Sequence, residues 1–81
     1  MTNNEKMKET LSELIKLINK ILPTIKTDNV TMDSDLRTDL GIDSFHLITL
    51  AISLEDHFDI RLDESFSPKT VGDVCEYINR L

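Results

Sequence analysis

Asp39-Leu40-Gly41-Ile42-Asp43-Ser44-Phe45-His46-Leu47-Ile48-Thr49-Leu50-Ala51-Ile52-Ser53-Leu54-Glu55-Asp56-His57-Phe58 is the stretch on which the fold turns. A glycine turn, an acid and a hydroxyl stand immediately ahead of an apolar run with helical spacing. At about 100° per residue, Leu47, Leu50, Ala51, Leu54 and Phe58 share one arc and form a core face. Phe45, Ile48 and Ile52 lie nearly opposite, as a second apolar stripe that so small a domain has too few elements to cover. The spacing predicts a helix over about 44–58 carrying an exposed docking strip, rimmed by Thr49, Glu55 and Asp56. Asp43 or Ser44 caps it. With Asp43 as the cap, its carboxylate takes the orphan N–H groups of the first turn and leaves the Ser44 hydroxyl free. With Ser44 as the cap, the hydroxyl is spent on the backbone, which is the commoner use of a serine ahead of a helix. A phosphate ester on a free Ser44 oxygen would gain a few tenths to about 1 kcal/mol from the positive end of the helix dipole.

Upstream, Met7, Leu11, Leu14, Ile15, Ile18, Ile21 and Leu22 recur at helical spacing behind a Thr2/Glu5 capping-box pattern. They predict a helix over about 4–22, ended by Pro23, which disfavours the α conformation in the residue before it. Residues 23–43 lose the periodicity and gather Asp28, Asp33, Asp35 and Asp39. That segment reads as a long loop with room for one helical turn, and a loop of such length in a compact domain is either functional or wrongly assigned. Downstream, Asp63-Glu64-Ser65-Phe66 suggests a short helix over about 63–66. Thr70-Val71-Gly72-Asp73 opens a last helix over about 70–80, burying Val71, Val74, Cys75, Ile78 and Leu81. The expected fold is all-α: a small four-helix bundle of three longer helices and one short one, in a single domain spanning residues 1–81.

Eighty-one residues leave room for one thin core, in which roughly 60–65% of the unfolded chain's surface is buried. The net charge of −6 divides into +2 over residues 1–27 and −8 over residues 28–81. An acidic surface repels phosphate backbones, so nucleic acid and anionic membranes are poor partners, no membrane insertion is expected, and basic protein surfaces are favoured. No apolar run reaches the roughly 18 residues of a membrane span. The opening MTNNEKMKET has no basic segment followed by an apolar one, so a cytoplasmic location is expected. The lone Cys75 fits a reducing compartment and, by its place on the apolar stripe, packing rather than chemistry.

Three other functional classes compete for these residues. A serine hydrolase would need a base, an orienting acid and a strained elbow, and no G-x-S-x-G surrounds Ser44. A calcium loop starting at Asp33 would place Arg37 and Thr38 where a ligand and the turn glycine belong. His46 and His57 lie about 20° apart around the helix axis but about three turns apart along it, too far to share a metal, so both read as solvated surface residues. A plain helical protein-interaction module, without a prosthetic group, stays open on the residues alone.

With D-L-G-I-D-S-F over residues 39–45, L-E-D-H-F-D-I-R-L over 54–62 and K-T-V-G-D-V-C-E-Y-I over 69–78, the chain resembles an acyl carrier protein along nearly its whole length. That resemblance implies a phosphopantetheinyl transferase, using coenzyme A and Mg²⁺, that joins 4'-phosphopantetheine to Ser44 through a phosphodiester. It further implies that the arm's thiol carries acyl groups as thioesters to partner enzymes of fatty acid, polyketide or related biosynthesis, while the carrier, a monomer, is itself no enzyme. Asp43 would assist recognition by the transferase, and the second helix would be the shared docking surface. Family members in fatty acid synthesis usually read D-S-L and have a strongly acidic second helix. Here Phe45 follows the serine and acidity is confined to Glu55, Asp56 and Asp59, so apolar contact should count for more in docking. D-S-F also occurs in D-alanyl carriers, which makes an aminoacyl, peptidyl or D-alanyl carrier the alternative.

Overall fold

The computed structural model describes residues 3–63 and 65–81, the side chains of residues 3 and 4 excepted. Its elements run α1 (Asn3–Ile21), α2 (Ser44–Phe58) and α3 (Val71–Arg80). Three helices are present among the described residues where four were expected. The missing element is the short one. Of the residues concerned, Phe66 N–H meets the Asp63 carbonyl at 3.0 Å, the closure of a single turn, and Glu64 lies outside the described residues. Two polar residues within the turn bond each other instead of extending it, since the Ser65 N–H and hydroxyl both donate to the Asp63 carboxylate. Tyr77 fastens the turn to α3, its hydroxyl donating to Asp63 at 3.0 Å and its ring standing edge-on to Phe66 with centroids 5.1 Å apart.

α1 packs against both other helices and more extensively against α3. Its core residues are Leu14, Leu17, Ile18 and Leu22, with Met7, Leu11 and Ile21 packed around them. Leu17 was not on the stripe read from the sequence, whereas Ile15, which was, stays half-buried outside the cluster. Thr2, the proposed cap, lies outside the described residues. Thr10 is buried despite its hydroxyl, which lies 2.9 Å from the Lys6 carbonyl and 2.7 Å from Asn79 Oδ1. A polar group at the α1–α3 seam is thus paired rather than stranded.

The long loop is a structural part of the core. Ile25, Leu36, Leu40 and Ile42 are all buried in it, which explains how so long an irregular segment persists in a small domain. Residues 35–42 form one capped helical turn. Asp35 Oδ1 accepts the N–H groups of Arg37 (2.8 Å) and Thr38 (2.9 Å), and Asp39 Oδ2 reaches back to the Asp35 N–H at 2.7 Å. At the other end Gly41, at φ +72°, stops the turn in an αL motif: its N–H meets the Arg37 carbonyl four residues back at 3.0 Å, and the Ile42 N–H beyond it meets the Leu36 carbonyl at 2.8 Å. Leu36 and Ile42, the two residues so joined, are both buried in the core.

The 31–36 stretch then pairs with the chain entering α3. Leu36 N–H donates to Lys69, Val71 N–H to Ser34 and Gly72 N–H to Met32, the last at 2.7 Å. A side chain at Gly72 would bring its Cβ to 2.9 Å from the Met32 carbonyl oxygen, so this glycine is there for close approach. α3 begins with the expected capping box: the Thr70 hydroxyl oxygen accepts the Asp73 N–H and the Asp73 carboxylate accepts the Thr70 N–H, both at 3.1 Å. Val71, Val74 and Cys75 are fully buried and Ile78 packs on the cluster, as expected. Leu81, also expected inside, is 62% exposed: α3 ends at Arg80 and leaves Leu81 beyond the helix as its C-cap.

Candidate functional site

α2 divides its faces as its spacing required. Leu50 and Leu54 are fully buried, with Leu47 and Phe58 packed beside them. On the other side Phe45, Ile48 and Ile52 are 73%, 62% and 61% exposed. Together they leave an apolar strip on the surface just beyond Ser44, a feature small soluble domains usually keep for contact with another molecule. Of its expected rim, Asp56 is exposed, while Thr49 and Glu55 are half-buried. Glu55 Oε2 accepts the Leu62 N–H at 3.0 Å, so its carboxylate ties the chain after α2 to the helix as well as edging the strip.

The head of α2 resolves the cap. Asp43, in extended conformation, accepts the His46 N–H on Oδ1 at 2.8 Å. Ser44 is therefore the first helical residue and not the cap, and its exposed side chain owes nothing to the backbone. Its oxygen is engaged by a side chain instead. Arg37 Nη2 donates to Ser44 Oγ at 3.2 Å, so the oxygen is the acceptor and its own proton is available to a base. Sequence reasoning missed Arg37. It sits seven positions before the serine, and only the turn at 36–40 folds it back.

The exposed Ser44 oxygen, a cation beside it and a helix N-terminus beneath it suit an ester of phosphate: space, positive charge and aligned N–H groups coincide. The two histidines, expected as solvated surface residues, each have a protein contact. His46 Nδ1 lies 3.3 Å from Asp43 Oδ1, and His57 Nε2 meets Glu13 Oε2 at 3.1 Å, joining α2 to α1. Among the described residues no group of histidine, cysteine, aspartate or glutamate is arranged to hold a metal ion. Among the same residues no helix is long and apolar enough to cross a membrane.

Backbone N–H groups of Thr38 and Arg37 hold the Asp35 carboxyl below its usual range, which keeps the turn that carries Arg37 charged and capped. The hydroxyl and N–H of Ser65 do the same for Asp63, and the N–H groups of Lys69 and Thr70 for Asp73. Cys75 moves the other way: burial pushes its thiol from 9.0 up to about 11. A thiol so placed is packing, as its position on the stripe indicated.

A small helical domain with one capped, exposed hydroxyl at the head of a bare apolar strip has the makings of a carrier module, a body that presents a covalently held group to other proteins. Comparison with known proteins agrees. A family model for the phosphopantetheine attachment site matches residues 10–78. The mitochondrial acyl carrier protein of Saccharomyces cerevisiae is 26% identical over 78 residues, covering 94% of this chain and 62% of that protein. An acyl carrier protein of Exiguobacterium sibiricum is 43% identical over 51 residues, covering 60% of this chain and 65% of the relative. One from Clostridium perfringens is 32% identical over 76 residues, 91% of this chain and 90% of its own. The match thus spans less than two thirds of the first two relatives and nearly all of the third. The chain belongs to the acyl carrier protein family, whose prosthetic group is phosphopantetheine and whose members are carriers rather than enzymes.

Proposed function

We propose that Ser44 bears the 4'-phosphopantetheine arm and that this chain carries acyl groups to the enzymes of fatty acid, polyketide or related specialised biosynthesis. The observation that carries the reading is the division of labour at the head of α2. Asp43 takes the His46 N–H, so Ser44 is exposed at the first helical position with its hydroxyl uncommitted to the backbone. When bound, the arm supplies a thiol on which cargo is held as a thioester. The chain's own residues do the rest: they hold the oxygen at a rigid helix head, present its proton outward and offer a surface to be recognised.

In this reading a phosphopantetheinyl transferase approaches across Asp43, and later partners dock on Phe45, Ile48 and Ile52, with Thr49, Glu55 and Asp56 at the edge. Exposure of that strip supports an interface led by apolar contact, with the acidic groups steering approach. The carrier acts as a monomer in the cytoplasm. Intact mass after incubation with coenzyme A and a broad-specificity transferase tests the assignment. The wild type should gain one phosphopantetheine, and Ser44→Ala should gain none. A wild type left at its original mass would overturn it.

A further inference from the structure

Between Lys26 and Arg61 the sequence holds a single Lys or Arg, Arg37, against Asp28, Asp33, Asp35, Asp39, Asp43, Glu55, Asp56 and Asp59. A lone cation in so acidic a stretch would ordinarily be drawn to a carboxylate. Arg37 is within ion-pair distance of none among the described residues. Asp35, its near neighbour, spends Oδ1 on the Arg37 and Thr38 N–H groups. The guanidinium reaches Ser44 Oγ instead, at 3.2 Å. Its backbone is held at both faces, the N–H by Asp35 and the carbonyl by Gly41 N–H, so the side chain starts from a fixed root. A neutral hydroxyl is a weak reason to hold a planar, always-charged fork. A phosphodiester on the same oxygen matches it in both charge and geometry.

Resting on the reading of Ser44 above, we infer that Arg37 pairs with the phosphodiester formed on Ser44 Oγ. It is a positioning residue: it holds the root of the arm on the side of the 36–40 turn and offsets the repulsion between the phosphate and the aspartates around it. Phe45, Ile48 and Ile52 are thereby left uncovered for partners.

The test uses wild type, Arg37→Gln, Arg37→Lys and Arg61→Gln, each in apo and phosphopantetheinylated form with loading verified by intact mass. Arg61 follows the far end of α2, about 20 Å from its head at 1.5 Å per residue, and serves as the charge control. Loading should improve the folding equilibrium constant about two- to five-fold more in wild type than in Arg37→Gln, and that ratio should shrink towards one in 1 M NaCl. Arg61→Gln should match wild type. Arg37→Lys, which keeps the charge without the fork, should retain part of the effect. In phosphorus-31 NMR the resonance of the loaded protein should move in Arg37→Gln and stay in Arg61→Gln. A ratio of one at low salt, or a phosphorus resonance identical in wild type and Arg37→Gln, overturns the inference alone. A wild type that accepts no arm overturns the Ser44 reading and the inference with it.

Discussion

Replacing Asp43 separates two jobs that one carboxylate performs at the head of α2. Its Oδ1 accepts the His46 N–H at 2.8 Å, and its charge stands at the positive end of the helix. Removing an N-cap acceptor costs about 1 kcal/mol, within a range of about 0.5–2. The dipole contribution adds about 0.3–1 kcal/mol, and the lower end applies because the side chain is 66% exposed. Asp43→Ala should therefore lose about 1–1.5 kcal/mol, and Asp43→Asn or Asp43→Ser, which keep an acceptor, only about 0.3–0.5 kcal/mol. For a domain of this size each 1 kcal/mol moves Tm by about 4–8 °C, so calorimetry resolves the series. Amide exchange at His46 and Leu47 should quicken in Asp43→Ala and stay slow in Asp43→Asn. Phosphopantetheinylation rates complete the separation: if the transferase reads the charge, Asp43→Asn should be modified slowly despite its intact helix. An unchanged Tm in Asp43→Ala, or equal destabilisation by Ala and Asn, would refute the capping argument.

Gly72→Ala, which in an exposed helix would be stabilising, should here cost about 1–3 kcal/mol in urea unfolding, because the new Cβ meets a backbone oxygen at 2.9 Å. Phe45→Ser and Ile48→Ser should leave stability within about 0.5 kcal/mol of wild type while slowing acyl transfer by partner enzymes. Asp35, Asp63 and Asp73 have carboxyls held below their ordinary value of 3.8 by the hydrogen bonds they accept. As pH falls past that value the unfolded chain takes up protons before the folded one, so the stabilisation these groups give well above it is lost as pH falls on through the depressed values. The Tm of Asp73→Asn should accordingly fall less steeply with acid than that of wild type. Cys75, with its thiol near 11 instead of 9.0, should hold about 100-fold less thiolate than an ordinary cysteine at neutral pH and react correspondingly slowly with a disulfide reagent until urea unfolds the chain.

The periodic parts of this protein were legible because helix faces follow from residue spacing alone. The α2 arc of Leu50 and Leu54 and the opposite stripe of Phe45, Ile48 and Ile52 emerged buried and exposed respectively, as did the capping box at Thr70 and the packing of Cys75. The serine before α2 and the residues around it were also visible, since capping is a local contest between neighbouring side chains. Which neighbour wins was not. Asp43 and Ser44 are both good caps, and the backbone conformation that decided for Asp43 depends on how Gly41 and Ile42 close the preceding turn. The short helix expected over 63–66 is not among the three helices of the described residues for a related reason: a polar turn and a helical turn share residue types, and Tyr77 and Ser65 both engage the Asp63 carboxylate.

Local spacing by itself determined the helices, their apolar faces and the hydroxyl at the head of the second. Only the tertiary structure decided that the long loop is core, through Ile25, Leu36, Leu40 and Ile42, and that Arg37 belongs to the serine's surroundings. Aperiodic segments have no repeating angle from which burial can be read. Their partners come from distant turns of the chain, and a contact such as Arg37 with Ser44 exists only once those turns have packed.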